Sequence, residues 1–327
     1  MTFAEAVALV GAARSFGDLP GSDEPERAYR RLVKILHPDV APAGQVPAAT
    51  AAFARLSTLW RQRRPTVLKT GRHTFTVGAL VAAGDLANLY DVDAGAALLK
   101  LPRRPADNDL LDAEAQALAQ LVRVGDPRHR AYAPRLVESF AHLDPATGVR
   151  RTANVLERQR GFVSLDEVAR AFPDGVDPRD AAWMWRRLLV ALGYAHGAGL
   201  VHGAVVGEHI LIHPGEHGLV LVDWCYAVRS GERVPALIAR HRDRYPPEVP
   251  ARGPASPGTD IHLATSTMRR LIGDRIPPRM RRFADGCMYD APRMRPQDAW
   301  RLLAEFDELL QTLYGPRRFR AFALPAR

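Results

Sequence analysis

Lysine is rare in this chain, and one lysine stands where it could do chemistry. Among 45 lysines and arginines in 327 residues, only Lys34, Lys69 and Lys100 are lysine. An ammonium group is a compact point charge with three donors, which the planar fork of arginine does not reproduce. Lys100 follows the apolar run Ala96-Ala97-Leu98-Leu99, and this favours an inward position over a solvent-exposed edge strand. We therefore expect Lys100 to point inward, into a structured site.

A second group of reactive and charged residues surrounds an amphipathic helix predicted over 26–36. One face is apolar and the opposite face is basic, each repeating at helical spacing. A predicted capping box of Asp23 and Glu26 begins the helix, and His37-Pro38-Asp39 ends it, because Pro38 disfavours helical geometry at His37. A second helix, over about 48–62, would bury Phe53, Leu56 and Trp60. The apolar face holds Tyr29, Leu32, Val33 and Leu36, and the basic face Arg27, Arg30, Arg31 and Lys34.

The elements that must position Lys100 form a β-rich segment followed by a helical one. Alternating and apolar runs predict strands at 75–81, 87–92, 96–100, 135–141 and 152–157, with a charged helix over 107–123. An apolar stripe of Trp185, Leu188, Leu189 and Leu192 predicts a helix over 180–196, and a buried strand, 219–222, leads into Asp223. The fold class is therefore predicted to be α+β, with a helical N-terminal segment.

Composition excludes several classes of protein. No run approaches the roughly 18 apolar residues needed to span a bilayer. The two cysteines, Cys225 and Cys287, are far apart and lack metal-ligand spacing. No basic segment precedes an apolar stretch at the start, so we expect a cytoplasmic protein without disulfides or membrane contact. The net charge of +9 is almost entirely arginine. Codon bias accounts for that skew, so binding of nucleic acid is not expected.

The pattern from Tyr29 to Asp39, followed by Phe53-Ala54-Arg55-Leu56 in the next helix, resembles a J domain. The resemblance covers residues 1–66, with a first helix expected over 4–14. It implies that the chain docks on a DnaK-type chaperone and stimulates its ATP hydrolysis through His37, Pro38 and Asp39. The resemblance assigns electrostatic support to Arg27, Arg30, Arg31 and Lys34. The alternative is a chance tripeptide at the end of a surface helix.

Residues from about 72 to 314 resemble the protein-kinase fold, and the whole arrangement resembles a J-domain protein of bacterial type fused to a kinase-like body. The resemblance implies a small β-rich lobe at 72–160, a helical lobe at 161–316 and a basic tail at 317–327. Lys100 and Glu114 match the lysine–glutamate pair, Glu157 lies at the hinge, and Asp223-Trp224-Cys225 takes the place of Asp-Phe-Gly. Pro247-Glu248, Asp260 and Arg295 match positions that support the fold. The implied nucleotide pocket comprises Gly84, Lys100, Glu114, Glu157, His209 and Asp223, with Asp223 as the metal ligand.

Against that pattern, some residues that a kinase needs are lost. Phosphoryl transfer requires an aspartate to accept the substrate proton and an asparagine for a second metal ion. His202-Gly203-Ala204 stands where His-Arg-Asp is expected, so Ala204 replaces the base, and His209 replaces the asparagine. The glycine-rich loop reads Ala82, Gly84 and Ala87 at its three glycine positions. The resemblance therefore implies a pseudokinase that requires no cofactor. Whether it binds ATP and Mg²⁺ is left open by the sequence.

Three functional interpretations follow. The preferred one is a J-domain co-chaperone whose kinase-like body recognises an unidentified protein client or regulatory partner. The second is an atypical serine/threonine kinase that retains slow or altered phosphoryl transfer through Lys100, Glu114 and Asp223. The third is a nucleic-acid-binding protein, suggested by arginines at 229–244, 269–282 and 317–320. These arginines lack interleaved aromatic residues for base stacking.

Overall fold

The computed structural model describes residues 1–21, 24–42, 44–63, 66–144 and 148–325, except for the side chains of 61–63. The chain divides into two compact units, one formed by 1–83 and 89–99 and the other by 84–88 and 100–327. Helices and antiparallel strands are both present, which agrees with the predicted α+β class. Among the described residues, no helix is both long enough and apolar enough to cross a membrane.

Three helices of the first unit pack on one another. A capping box of Thr2 and Glu5 begins the first helix, and Pro25 occupies the first turn of the second. Predicted helices over 4–14, 26–36 and 48–62 are all present, with Leu32, Leu36 and Leu56 fully buried. Phe53 and Trp60 are only half-buried, and Asp23 lies outside the described residues. These helices are α1 (Phe3–Ala12), α2 (Pro25–Leu36) and α3 (Val46–Arg63).

The same unit contains β1, β2 and parts of β3 and β4, which follow one another in that order in the sheet. The three strands predicted between 75 and 100 are present, whereas β1 was not foreseen. Because the boundary between the two units lies within β3 and β4, the limits 66, 72, 160 and 316 stay predictions. The strands are β1 (Thr66–Lys69), β2 (Thr74–Ala83), β3 (Ala87–Val92) and β4 (Ala97–Pro102).

The second unit is mostly helical, with short strands near its site. β5 (Leu136–Leu143) and β6 (Arg150–Glu157) pair as an antiparallel hairpin. The order of the next small sheet is β10-β9-β7, and β11 pairs with β8. The remaining elements are α4 (Asn108–Val124), β7 (Val163–Ser164), α5 (Leu165–Ala171), α6 (Pro178–Gly197), β8 (Leu200–Val201), β9 (Ile210–His213), β10 (Gly218–Leu221), β11 (Val228–Arg229), α7 (Pro257–Ile272), α8 (Pro278–Cys287) and α9 (Ala299–Tyr314).

Helix α6 runs through the core of this unit. Its predicted apolar stripe is fully buried at Trp185, Leu188, Leu189 and Leu192. The loop that follows β8 is held against α7 by hydrogen bonds from its backbone to Asp260.

The predicted basic tail at 317–327 is not simply solvated. Among its described residues, Phe322 is buried beside Trp183 and Phe172. The guanidinium of Arg320 lies 2.8 Å from the Asp180 carboxylate. The segment after α9 is therefore packed against the rest of the second unit by aromatic contacts and ion pairs.

Candidate functional site

The sequence His37-Pro38-Asp39 forms a short turn directly after α2. His37 is extended (φ −63°, ψ 133°), and Pro38–Val40 make a single 3-10 turn. The backbone N–H of Asp39 donates to His37 Nδ1 over 3.3 Å, and the His37 ring packs edge-on against Phe53 at 5.2 Å between centroids. The Asp39 side chain is 84% exposed. The turn is thus fixed by local contacts while its carboxylate faces solvent.

The four predicted basic residues of α2 are all exposed, but they are not equally free. Arg31 donates to the carbonyl of Pro20 over 2.7 Å, and Arg27 pairs with Glu24 at 3.0 Å. Arg30 donates weakly within its own helix, to Glu26 O at 3.3 Å. Lys34 has no hydrogen bond or ion pair with another residue in the described part of the chain. Arg30 and Lys34, one helical turn apart, are therefore the most available cations of this face.

A buried cluster of charges surrounds Lys100. Strand β4 carries Lys100, α4 carries Glu114, and Asp223 follows β10. The Lys100 ammonium lies 2.8 Å from Glu114 Oε1 and 2.8 Å from Asp223 Oδ1, and it also donates to Cys225 Sγ over 3.2 Å. The side chain of Lys100 is 7% exposed and that of Glu114 is 0% exposed. The predicted lysine–glutamate pair is present, and the Asp223 carboxylate forms a second ion pair with the same lysine.

The electrostatics of the cluster keep Lys100 and Asp223 charged. Burial by itself would lower the pKa of Lys100, but the Asp223 and Glu114 carboxylates raise that pKa well above its ordinary value. Burial would raise the pKa of Asp223, and Lys100 together with His209 holds it well below the usual range. Burial raises the pKa of Cys225, which therefore remains a neutral thiol near pH 7.

His209 completes the charge balance. Its Nδ1 lies 2.9 Å from the carbonyl oxygen of Ala204, and its Nε2 lies 3.2 Å from Asp223 Oδ2. Both neighbours only accept hydrogen bonds, so both ring nitrogens carry a proton and the ring is an imidazolium. Burial would lower the pKa of His209, but the charge of Asp223 and its hydrogen bond raise it. One oxygen of Asp223 therefore faces Lys100 and the other faces a second cation.

This arrangement does not suit a magnesium ion. Mg²⁺ prefers oxygen ligands in near-octahedral geometry. Both oxygens of Asp223 already face cations, and a cationic ring stands where an amide oxygen is expected. The donor set present thus favours an internal ion-pair network over the predicted metal site at Asp223.

The loop that follows β8 is held in place by Asp260. Backbone N–H groups of His202 and Gly203 donate to the Asp260 carboxylate over 2.7 Å and 2.8 Å. Burial lowers the pKa of His202 to about 4, so this ring is neutral near pH 7. Ala204 is fully buried, and its methyl group cannot accept a proton.

Two predicted pocket residues are not bonded to the cluster. Gly84 lies in the turn between β2 and β3, where its N–H donates to Ala87 O over 2.9 Å. Glu157 is exposed and pairs with Arg135 at 2.8 Å. In the described residues, neither is hydrogen-bonded or ion-paired with Lys100, Glu114 or Asp223.

Three contacts near the cluster were missed by sequence reasoning. Asn154 donates to Glu114 Oε2 over 3.0 Å and thereby satisfies the second oxygen of that carboxylate. Arg240 pairs with both Glu208 and Asp85. A polar residue inside the buried run of β6 was the available signal for Asn154. No local pattern marks Arg240, because its partners lie far away along the chain.

A second buried pair supports the fold beside α7. Arg295 lies 2.7 Å and 2.9 Å from the two oxygens of Glu248, in the forked geometry expected of arginine. Burial would raise the pKa of Glu248, but the hydrogen bonds from Arg295 lower it. Thr259 donates to the same carboxylate over 2.9 Å. Arg295 and Glu248, two of the positions expected to support the fold, therefore form an ion pair whose side chains are buried.

No protein-family model matches the sequence, and no curated protein matches it. Function must therefore be inferred from the two sites themselves.

Proposed function

We propose that this chain is a J-domain co-chaperone that stimulates the ATPase of a DnaK-type chaperone, with a catalytically inactive kinase-like body that recognises a protein client or regulatory partner. The observation that carries the proposal is the turn His37-Pro38-Asp39. It follows a basic amphipathic helix directly and presents an exposed carboxylate.

The first unit supports the chaperone-directed part of the proposal. Arg30 and Lys34 form an exposed cationic surface on α2, which would steer the encounter with an acidic partner. The ring of His37 on Phe53 and the bond from the Asp39 N–H pre-set the turn. A turn that is already ordered loses little conformational entropy on binding.

The second unit supports a binding role without phosphoryl transfer. Ala204 provides no proton acceptor, and both oxygens of Asp223 are engaged by Lys100 and His209. A charged network of this kind stabilises the body without needing a ligand. The body would then act through its surface, as a module that selects a partner for the chaperone.

The decisive experiment measures the ATPase rate of a DnaK-type chaperone with the full chain and with Asp39→Asn. We expect wild type to raise the steady-state rate and Asp39→Asn to abolish the increase, because the variant removes an exposed charge while leaving the local fold intact. Asp112→Asn, the same change at an exposed position of α4, is the matched control and should retain full stimulation. Equal stimulation by wild type and Asp39→Asn would refute the proposal.

Charge reversal provides an independent test of the basic face. Arg30→Glu with Lys34→Glu should slow association with the chaperone at low salt, and the difference should shrink at high salt, because exposed charges are screened. Arg31 is a poor choice for this test, since it anchors the Pro20 carbonyl. A loss of binding that does not depend on salt would contradict electrostatic steering.

A second candidate function is slow phosphoryl transfer, favoured by the intact Lys100–Glu114 pair at 2.8 Å. Under single-turnover conditions with labelled ATP, we expect no transfer above background. Robust transfer that Asp223→Ala removes would replace the binding role by a catalytic one.

A further inference from the structure

A second cluster of ligating side chains lies beside the site already described. Asp166 stands at the start of α5, Glu208 in the 3-10 turn 207–209, and His241 in the 3-10 turn 239–244. One ligating atom from each of these residues lies within 4.8 Å of the other two. Three segments that are far apart in the sequence thus converge on one point.

His241 is the feature of this cluster that points to a ligand. The residue is 4% exposed, yet neither of its ring nitrogens has a hydrogen-bond partner in the described part of the chain. Its Nε2 lies 3.4 Å from Glu208 Oε1 without hydrogen-bonding geometry. A buried polar group left unpaired costs about 1–3 kcal/mol, so such groups generally have a partner.

The separation between His241 and Glu208 fits one small cation between them. A tetrahedral zinc site with bonds of about 2.0–2.2 Å places neighbouring ligand atoms roughly 3.3–3.6 Å apart. The Nε2–Oε1 separation of 3.4 Å falls inside that interval. Gly207 allows the third ligand to approach, because a Cβ there would lie 2.1 Å from Asp166 Oδ1. A side chain at position 207 would fill the space that the Asp166 carboxylate uses.

We propose that Asp166, Glu208 and His241 bind a zinc ion. One imidazole nitrogen and two carboxylate oxygens form a ligand set that suits Zn²⁺, with a water molecule as the fourth ligand. Arg240 pairs with the Oε2 atom of Glu208 and orients that carboxylate. The ion would fasten the segment 239–244 to the turn 207–209 and to α5.

The test uses the full chain, stripped with a chelator and titrated with zinc chloride by calorimetry, with metal content measured by mass spectrometry. We expect one zinc ion per chain and a higher melting temperature, whereas magnesium chloride should cause no shift. Removal of a direct ligand by His241→Ala or Asp166→Asn should weaken zinc binding at least about a hundredfold, since even the loss of supporting contacts costs 10–100-fold.

Two controls locate the ion. His142→Ala, a change at a histidine on β5, should bind zinc as wild type does. Cys225→Ser tests the other group of ligating side chains, Glu114, Asp223 and Cys225, and should also leave binding unchanged. X-ray absorption should show a nitrogen and oxygen shell without sulfur. Absence of stoichiometric zinc, or binding that survives both His241→Ala and Asp166→Asn, would overturn the proposal and leave His241 as an ion-pair partner of Glu208. Circular dichroism of each variant confirms that it is folded.

Discussion

Replacement of Lys100 by methionine is the sharpest perturbation of the buried charge cluster. Methionine keeps the length and apolar stem of the side chain and removes its charge. In the wild type, the Lys100 ammonium compensates Glu114, which is 0% exposed, and Asp223, which is 25% exposed. The variant leaves these two carboxylates close together, with His209 and Asn154 as their remaining partners.

The expected loss of folding stability follows from the burial of Lys100 and Glu114. Removing one member of a buried ion pair destabilises a protein by about 3–5 kcal/mol, because an uncompensated charge stays in a medium of low polarity. The lysine here faces two carboxylates, so we expect Lys100→Met to fall in the upper part of that range. For a unit of this size, such a loss lowers the melting temperature by roughly 10 °C.

The stability lost in Lys100→Met should depend on pH, and it should be smaller in acid. The folded-state pKa of Asp223 is depressed in the wild type. The stability it contributes is therefore present above the unfolded value of about 3.9 and is lost as the pH falls through the folded pKa. Lys100→Met removes the larger favourable cause of that depression and leaves His209 as the other. The difference in stability between wild type and variant should be largest near neutral pH and should narrow as the pH falls below about 4.

Denaturant unfolding at several pH values measures this difference. Lys69→Met on β1 is the matched control, because Lys69 is exposed and surface changes are usually within about 0.5 kcal/mol. Two results would refute the reasoning: a cost for Lys100→Met below about 1 kcal/mol, the range of exposed pairs, or a cost that does not change with pH.

Three further variants test neighbouring features. The pKa of His209 is raised, so the protonated ring adds stability that is fully present below the unfolded value of about 6.5 and is lost as the pH rises through the folded pKa. The free energy of unfolding of His209→Asn should therefore fall less between pH 6 and pH 9 than that of wild type. Parallel plots of this free energy against pH would contradict the imidazolium. Arg295→Met leaves Glu248 without its partner and should cost about 3–5 kcal/mol by denaturant titration, while a cost near zero would show that the pair is dispensable. Gly203 has φ +76°, and an added Cβ would lie 2.8 Å from Tyr226 O, so Gly203→Ala should cost at least about 1–3 kcal/mol; an unchanged melting temperature would mean that the loop relaxes freely.

Local patterns in the sequence predicted most of the elements. The stripe on α6 and the apolar and basic faces of α2 each lie within one helix, and burial of an apolar stripe fixes the orientation of the helix. The run before Lys100 likewise predicted an inward lysine, and the structure places its ammonium against Glu114. Strand β1 was missed, because its four residues carry no alternation and it is exposed for most of its length.

What the sequence determined by itself was therefore most of the longer helices and strands and the inward position of Lys100. What only the tertiary structure decided was which side chains meet. His209 faces Asp223 across 14 positions, and His241 approaches Asp166 and Glu208 from a distant segment. Such contacts depend on how loops are held by Asp260 and α6, since the direction of a side chain in a loop follows from backbone angles that no sequence period encodes. The charge clusters of the second unit are formed by these long-range contacts.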